Sequence, residues 1–175
     1  KEPSLSAPPK VSAFSSIEGS LCPKTTTLQL LDAAKELGAS IYDDIATSLD
    51  VASNTITEVR TETGKFIADH VVLAAGVSSK SLTANLGIRL PMENLPGFLA
   101  QSVPLPPLLN GLILSPGLHM RQNFDGRIIL GEDFGGGSPP NDQRSVAIEL
   151  LKSASELLSD IEELSISHYS LGIRP

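Results

Sequence analysis

His119, Arg121 and Asn123 alternate with Leu118, Met120 and Gln122 along one six-residue run. The side-chain period of an extended strand is two, so these three polar residues share one face. An arginine on such a face offers a planar fork of donors that pairs bidentately with a carboxylate. Recognition of a small acid is therefore the chemistry to weigh. The plainer alternative for Arg121 is an exposed strand arginine paired with a neighbouring acid. His119 and His168 have no Cys, Asp or Glu partners at metal-ligand spacing, so each reads as a sheet histidine and no metal is expected. G-x-S-x-G, H-E-x-x-H and paired-cysteine motifs are all missing, which removes the hydrolase classes. Gly135-Gly136-Gly137 lacks the spacing of a phosphate loop and reads as a mobile loop.

A second stretch with chemical potential is residues 70–79, His-Val-Val-Leu-Ala-Ala-Gly-Val-Ser-Ser. Five apolar residues without polar alternation predict a strand buried on both faces, of the kind found at the centre of a parallel sheet. It ends in Ala74, Ala75 and Gly76, whose small side chains would let a ligand approach the backbone at the carboxyl end of the strand. A buried strand closed by a glycine turn, with no ligand, is the other reading.

Four spaced motifs now share a pattern. They are V-R-T-E-T-G-K-F-I-A-D-H-V-V-L-A-A-G over 59–76, D-G-R-I-I-L-G over 125–131, G-I-R-P over 172–175, and Gly19 with Pro23 ahead of a helix that carries Ala34 and ends at Gly38. This pattern resembles the flavoprotein family of glycine oxidase, sarcosine oxidase and D-amino-acid oxidase. The resemblance implies the substrate-binding portion of an FAD-dependent oxidoreductase. Such an enzyme oxidises an amine or amino acid by hydride transfer to flavin, and the flavin carries the electrons, so no catalytic side chain is assigned. It implies contacts to FAD from the backbone of Thr47 and from Ala74, Ala75, Gly76, Gly172 and Arg174. It also implies a role for Arg174 near the substrate carboxylate, with His119, Arg121 and Asn123 facing the substrate. Two departures matter. The family's carboxylate-binding arginine aligns with Asn123, so either Arg121 substitutes from one pleat away or the substrate is not a simple amino acid. The family's tryptophan near the last motif corresponds to Ser170.

The glycine-rich phosphate loop of the family's amino-terminal βαβ unit is absent from the sequence, which begins with Lys1-Glu2-Pro3 and stops after Arg174-Pro175. The chain reads as a piece whose partners are FAD, a small amine or amino-acid substrate, and the missing N-terminal and C-terminal parts of the same protein. Two alternatives stand beside this reading. One is a non-catalytic, flavin-free fragment or interaction module, and the other is a flavoprotein with a dehydrogenase or tRNA-modifying role.

Bulk properties are those of a soluble globular protein. With 175 residues, 41% hydrophobic and 19% charged, the chain can bury a core. A net charge of −7 with only 13 scattered Lys and Arg argues against nucleic acid. No apolar run approaches a membrane span, and no signal-peptide core opens the chain. The single Cys22 cannot form an internal disulfide, and the cytoplasm is the expected compartment.

The elements that must position these residues follow from periodicity. A helix is predicted over 23–37 with Leu30, Ala33, Ala34 and Leu37 as its buried stripe and Gly38 as its stop. Short strands follow over 39–42 and 46–51, then a strand over 55–61 after the turn at Ser53-Asn54, and a short helix capped by Ser78 and closed by Gly87. Strands are predicted over 98–103, 112–114, 118–123, 127–131 and 164–171, with a stiff proline-rich loop over 104–110. The best helix is capped by Asn141 or Asp142 and carries a stripe of Ala147, Leu150, Leu151, Ala154, Leu157 and Leu158. The fold class is α+β, a mainly antiparallel sheet flanked by helices plus elements completing an α/β FAD-binding domain. The expected organisation is a connector over 1–22, part of the FAD domain with an inserted hairpin over 23–90, a substrate-binding domain over 91–170, and the start of a return to the FAD domain over 171–175.

Overall fold

The computed structural model describes residues 2–6, 9–93, 95–132, 141–158 and 164–174. In chain order the elements are α1 (Pro23–Glu36), β1 (Ala46–Ala52), β2 (Thr55–Thr61), β3 (Lys65–Phe66), a 3-10 turn (Gly76–Ser78), α2 (Ser79–Ala84), β4 (Leu95–Ser102), β5 (Ile113–Ser115), β6 (Leu118–Gln122), β7 (Ile128–Gly131), α3 (Gln143–Leu157) and β8 (Ile166–Arg174). They form two compact units, one of Lys1–Thr26 with Leu95–Gly172 and one of Thr27–Asn94 with Ile173–Pro175.

The first unit is built on a five-stranded sheet in the order β5-β6-β7-β4-β8. The paired strands described residue by residue are antiparallel. Strand alternation decides its sides. Phe98, Ala100 and Ser102 of β4, Leu118 and Met120 of β6, and Ile128 and Leu130 of β7 are all buried. The expected stripe of α3 covers them, with Ala147, Leu150, Leu151 and Ala154 in the same core and Leu157 packed at its edge. The helix starts where Asp142 accepts hydrogen bonds from the amides of Arg144 and Ser145 and from the Ser145 hydroxyl, which settles the cap between Asn141 and Asp142. Between β6 and β7 the predicted tight turn closes with Gly126 at φ +83°. A Cβ on Gly126 would stand 2.5 Å from the Leu105 carbonyl oxygen, so only glycine fits there. The residues of the glycine loop at 135–137 lie outside the described residues.

The second unit holds the three-stranded antiparallel sheet β1-β2-β3. Its first hairpin turns at Ser53 and Asn54, both at positive φ, as a two-residue turn between twisted strands requires. Asp50, Glu58, Arg60 and Lys65 form an ion-pair chain across it, with Arg60 2.6 Å from Asp50 and Lys65 2.8 Å from Glu58. Leu49 of β1 and Leu82 of α2 are its buried apolar side chains.

Four expectations fail here. The stretch at 70–75 is no strand: it runs without regular structure into the 3-10 turn, and Val72 is 88% exposed. A strand buried on both faces needs neighbours on both sides, and among the described residues none pairs with it. The same holds for residues 39–42, which form no strand. Helix α1 forms where periodicity placed it and ends at Gly38, with the Ala39 amide reaching back to the Ala34 carbonyl. Its stripe, however, buries nothing, and Leu30 and Leu37 are exposed. Periodicity reports what a helix can cover, not whether a cover is present. Ser78 precedes α2 without a side-chain capping bond, and its carbonyl instead accepts from the Ser81 hydroxyl.

Candidate functional site

In the first unit, one face of the sheet lies under α3 and the other carries the residues singled out from the sequence. Along β6 the buried Leu118 and Met120 alternate with the half-buried His119 and Arg121, so these two share the side away from α3. Across the ladder His119 pairs with Gly131 and Arg121 with Ile129, and Gly131 and Ile129 pair in turn with Leu99 and Gln101. A Cβ on Gly131 would lie 2.7 Å from the His119 ring, so the imidazole occupies space that only a glycine leaves open.

Among the described residues Arg121 is not paired with a neighbouring acid, the plainer of its two sequence readings. Its Nη1 donates to the Leu21 carbonyl at 2.7 Å. The guanidinium pins the backbone just before α1. Cys22 is the next residue, and its thiol is held below the ordinary cysteine range, chiefly by its hydrogen bond with the Thr25 hydroxyl and in smaller part by the Arg121 charge. Asn123 lies just beyond β6, where its amide donates to the Arg127 carbonyl and its own carbonyl receives the Gly126 amide. Its backbone is committed to closing the turn.

Two residues here were undervalued by the sequence reading. Gln122 donates through Nε2 to the carbonyls of Leu105, Pro106 and Gly126, and its Oε1 accepts from the amides of Leu108 and Leu109. One side chain thus holds the proline-rich loop against the β6–β7 turn. The available signal was a polar residue at a position whose strand parity points to the core. Arg127 does more than fix its own turn. Besides pairing with Asp125 it donates to the Ser102 carbonyl on β4 and to the Ser167 hydroxyl on β8, tying three strands together.

The other candidate residues fall in the second unit, except Gly172. Thr47 is the extra residue of a bulge, because Ala46 pairs with Thr61 and Ser48 with Arg60. Its place outside the ladder is where bulges re-aim a backbone. Ala74, Ala75 and Gly76 are exposed, Gly76 has φ +54°, and nothing lies within 4 Å of where its Cβ would point. Arg174 is half-buried at the end of β8. Gly172 lies on β8 in the first unit, and a Cβ added there would stand 4.0 Å from the Gly97 carbonyl oxygen. Pro175 lies outside the described residues. Among the described residues no group of His, Cys, Asp or Glu could hold a metal ion, and no helix is long and apolar enough to cross a membrane.

The model of the family described as DAO, FAD dependent oxidoreductase, matches residues 1–175. The chain belongs to this family. Its FAD-dependent oxidoreductases include the amino-acid oxidase type that the four motifs pointed to. A glycine oxidase of Pseudomonas putida is 32% identical over 121 residues, covering 69% of this chain and 33% of that protein. A D-amino-acid oxidase of Bradyrhizobium diazoefficiens is 41% identical over 69 residues, covering 39% of this chain and 16% of that protein. This DAO-family chain therefore spans about a third or less of the curated relatives it matches. Among solved structures, L-proline dehydrogenase from P. horikoshii superposes with a TM-score of 0.73 at 21% identity, covering 86% of this chain and 43% of that one. Glycine oxidase from Geobacillus kaustophilus gives 0.71 at 24%, covering 85% and 40%. These neighbours share the α+β antiparallel fold described above.

Proposed function

We propose that this chain is the substrate-binding portion, with part of the FAD-binding portion, of an FAD-dependent oxidoreductase that oxidises a small amine or amino acid. The observation that supports this reading best is the one-sided sheet of the first unit. On the face away from α3, His119 and Arg121 stand beside Ile129 and Leu99 of the neighbouring strands, an apolar wall with a few polar groups, which is how small-ligand sites are built. On this reading Arg121 and Asn123 orient the substrate carboxylate, His119 lies against the substrate body, and Arg174 is a separate candidate for contact with FAD or a carboxylate. Only one of the five donors of Arg121 is occupied in the Leu21 bond, so its fork keeps capacity for an acid.

FAD, when bound, supplies the acceptor for the hydride. The residues of the second unit fit a planar or phosphate-bearing group. Ala74, Ala75 and Gly76 present backbone with nothing larger than a methyl, and Thr47 stands outside its ladder. On this proposal residues 23–90 belong to the FAD domain and residues 91–170 to the substrate domain, the connector over 1–22 precedes them, residues 171–175 begin the return, and the cytoplasm is the compartment. Gly172 would leave room where β8 ends, and the missing parts of the same protein would complete the cofactor site.

The test is to express the chain within its complete polypeptide and record the visible flavin spectrum before and after adding a panel of amino acids and amines without oxygen. Bleaching of the oxidised flavin by one of them, and weaker bleaching in Arg174→Ala, supports the proposal. A colourless protein leaves the flavin-free module as the better reading, and a yellow one indifferent to every amine leaves a flavoprotein of another role.

A further inference from the structure

Along the flank of α3 a groove of about 740 Å³ runs between one side of the helix and the beginning of β8. Its floor is apolar, made by Ile148, Leu151, Leu164 and Ile166, and its rim carries Arg144 and Lys152. Glu156 stands one turn beyond Lys152. Ile148 is 49% exposed, and neither rim cation enters an ion pair among the described residues.

The wall of this groove is an edge. In the sheet order β8 comes last, so only its β4 side has a neighbouring strand among the described residues. The Val103 amide donates to the Ser165 carbonyl, which aims the peptide groups of Ser165 toward β4. Backbone groups alternate in direction along an extended chain, so those of the next residue, Ile166, face the groove. The Leu164 amide donates to the Ser155 hydroxyl of α3. An open edge beside an apolar floor admits a further strand, with main-chain bonds for affinity and side-chain subsites for selection.

Charge selects the occupant. The chain carries a net charge of −7, yet among the described residues this groove is lined by two cations, Arg144 and Lys152, and one acid, Glu156. We propose that the groove is an interaction surface for an extended acidic-and-apolar peptide segment of a partner protein. The segment adds to β8 as an edge strand, sets its apolar side chains on Ile148 and Leu151, and pairs its carboxylates with Arg144 and Lys152. This does not rest on the flavin reading and stands or falls separately from it.

The probe is a fluorescein-labelled nonapeptide of alternating valine and glutamate, titrated into the intact chain by fluorescence anisotropy. Saturable binding is expected, with hydrogen-exchange protection of the Ile166 amide. The double substitution Arg144→Glu with Lys152→Glu should weaken binding about tenfold or more. Both side chains are exposed, so circular dichroism and melting should not change. A valine-lysine peptide, and a version with prolines at the pairing positions, should not bind. The proposal is overturned by equal binding of the lysine peptide, by no saturation at about 1 mM peptide, or by a concentration-dependent dimer that the same double substitution abolishes.

Discussion

Arg121 Nη1 donates to the Leu21 carbonyl at 2.7 Å, so the guanidinium that reads from sequence as a carboxylate fork also holds the chain entering α1. The strand that carries the fork and the helix start that carries Cys22 are thereby linked.

One consequence is chemical. Thr25 is the larger cause of the lowered Cys22 thiol and Arg121 a smaller one. Removing either should raise the thiol toward the ordinary cysteine value and reduce its thiolate fraction at neutral pH. The pH profile of iodoacetamide alkylation should therefore move upward in Thr25→Val, and less so in Arg121→Ala. An unmoved profile in both would break the assignment.

Gln122 makes five hydrogen bonds to main-chain groups from one side chain. Gln122→Ala should cost about 2–4 kcal/mol in urea unfolding, because half-buried carbonyls and amides lose their partner together. Gln122→Glu keeps the acceptor for Leu108 and Leu109 but forfeits the three donations, so it should fall between wild type and alanine. Faster hydrogen exchange at Leu108 and Leu109 would confirm that the proline-rich loop loosens.

Much of this arrangement is readable from residue types. Alternation along β6 and the α3 stripe are local patterns with one physical meaning, and the Asp125-Gly126 turn needs a glycine for steric reasons. The failures are all cases where a pattern needs a partner. Residues 71–75 have the apolar run of a buried strand and Leu30 and Leu37 the spacing of a buried helix face, but burial depends on what lies opposite, and spacing along a chain does not contain that. Arg121 differs in kind. Its sequence neighbours gave strand geometry correctly, while its partner, Leu21, is a backbone carbonyl 100 residues away that no side-chain pattern marks.

Gly131 tests the open face. Gly131→Ala should drive the His119 ring from its seat, since the new Cβ would lie 2.7 Å from it. In the complete protein the expected result is a raised KM for the substrate with a smaller change in kcat, at a stability cost of about 1–3 kcal/mol. Equal KM values would remove His119 from the proposed substrate face.

Asp142 gives a pH prediction with a definite sign. Bonds from Ser145, side chain first and then amide, and from the Arg144 amide hold its carboxyl below the ordinary carboxylate range. A depressed folded pKa contributes stability above the unfolded value, and that contribution fades as the pH falls through the folded one. Helix α3 should therefore lose stability below about pH 4. Asp142→Asn should flatten that part of the pH dependence, with helical circular dichroism as the readout.

Helix α1 leaves Leu28, Leu30, Leu31 and Leu37 in water. While the chain carries its full negative charge, repulsion between molecules keeps such hydrocarbon apart. Near the isoelectric point, about 4.9, that repulsion vanishes and the leucines do not. Turbidity should peak there and spread to higher pH as salt screens the remaining charge, so the handling of this polypeptide is governed by colloid chemistry at one helix as much as by the strength of its core.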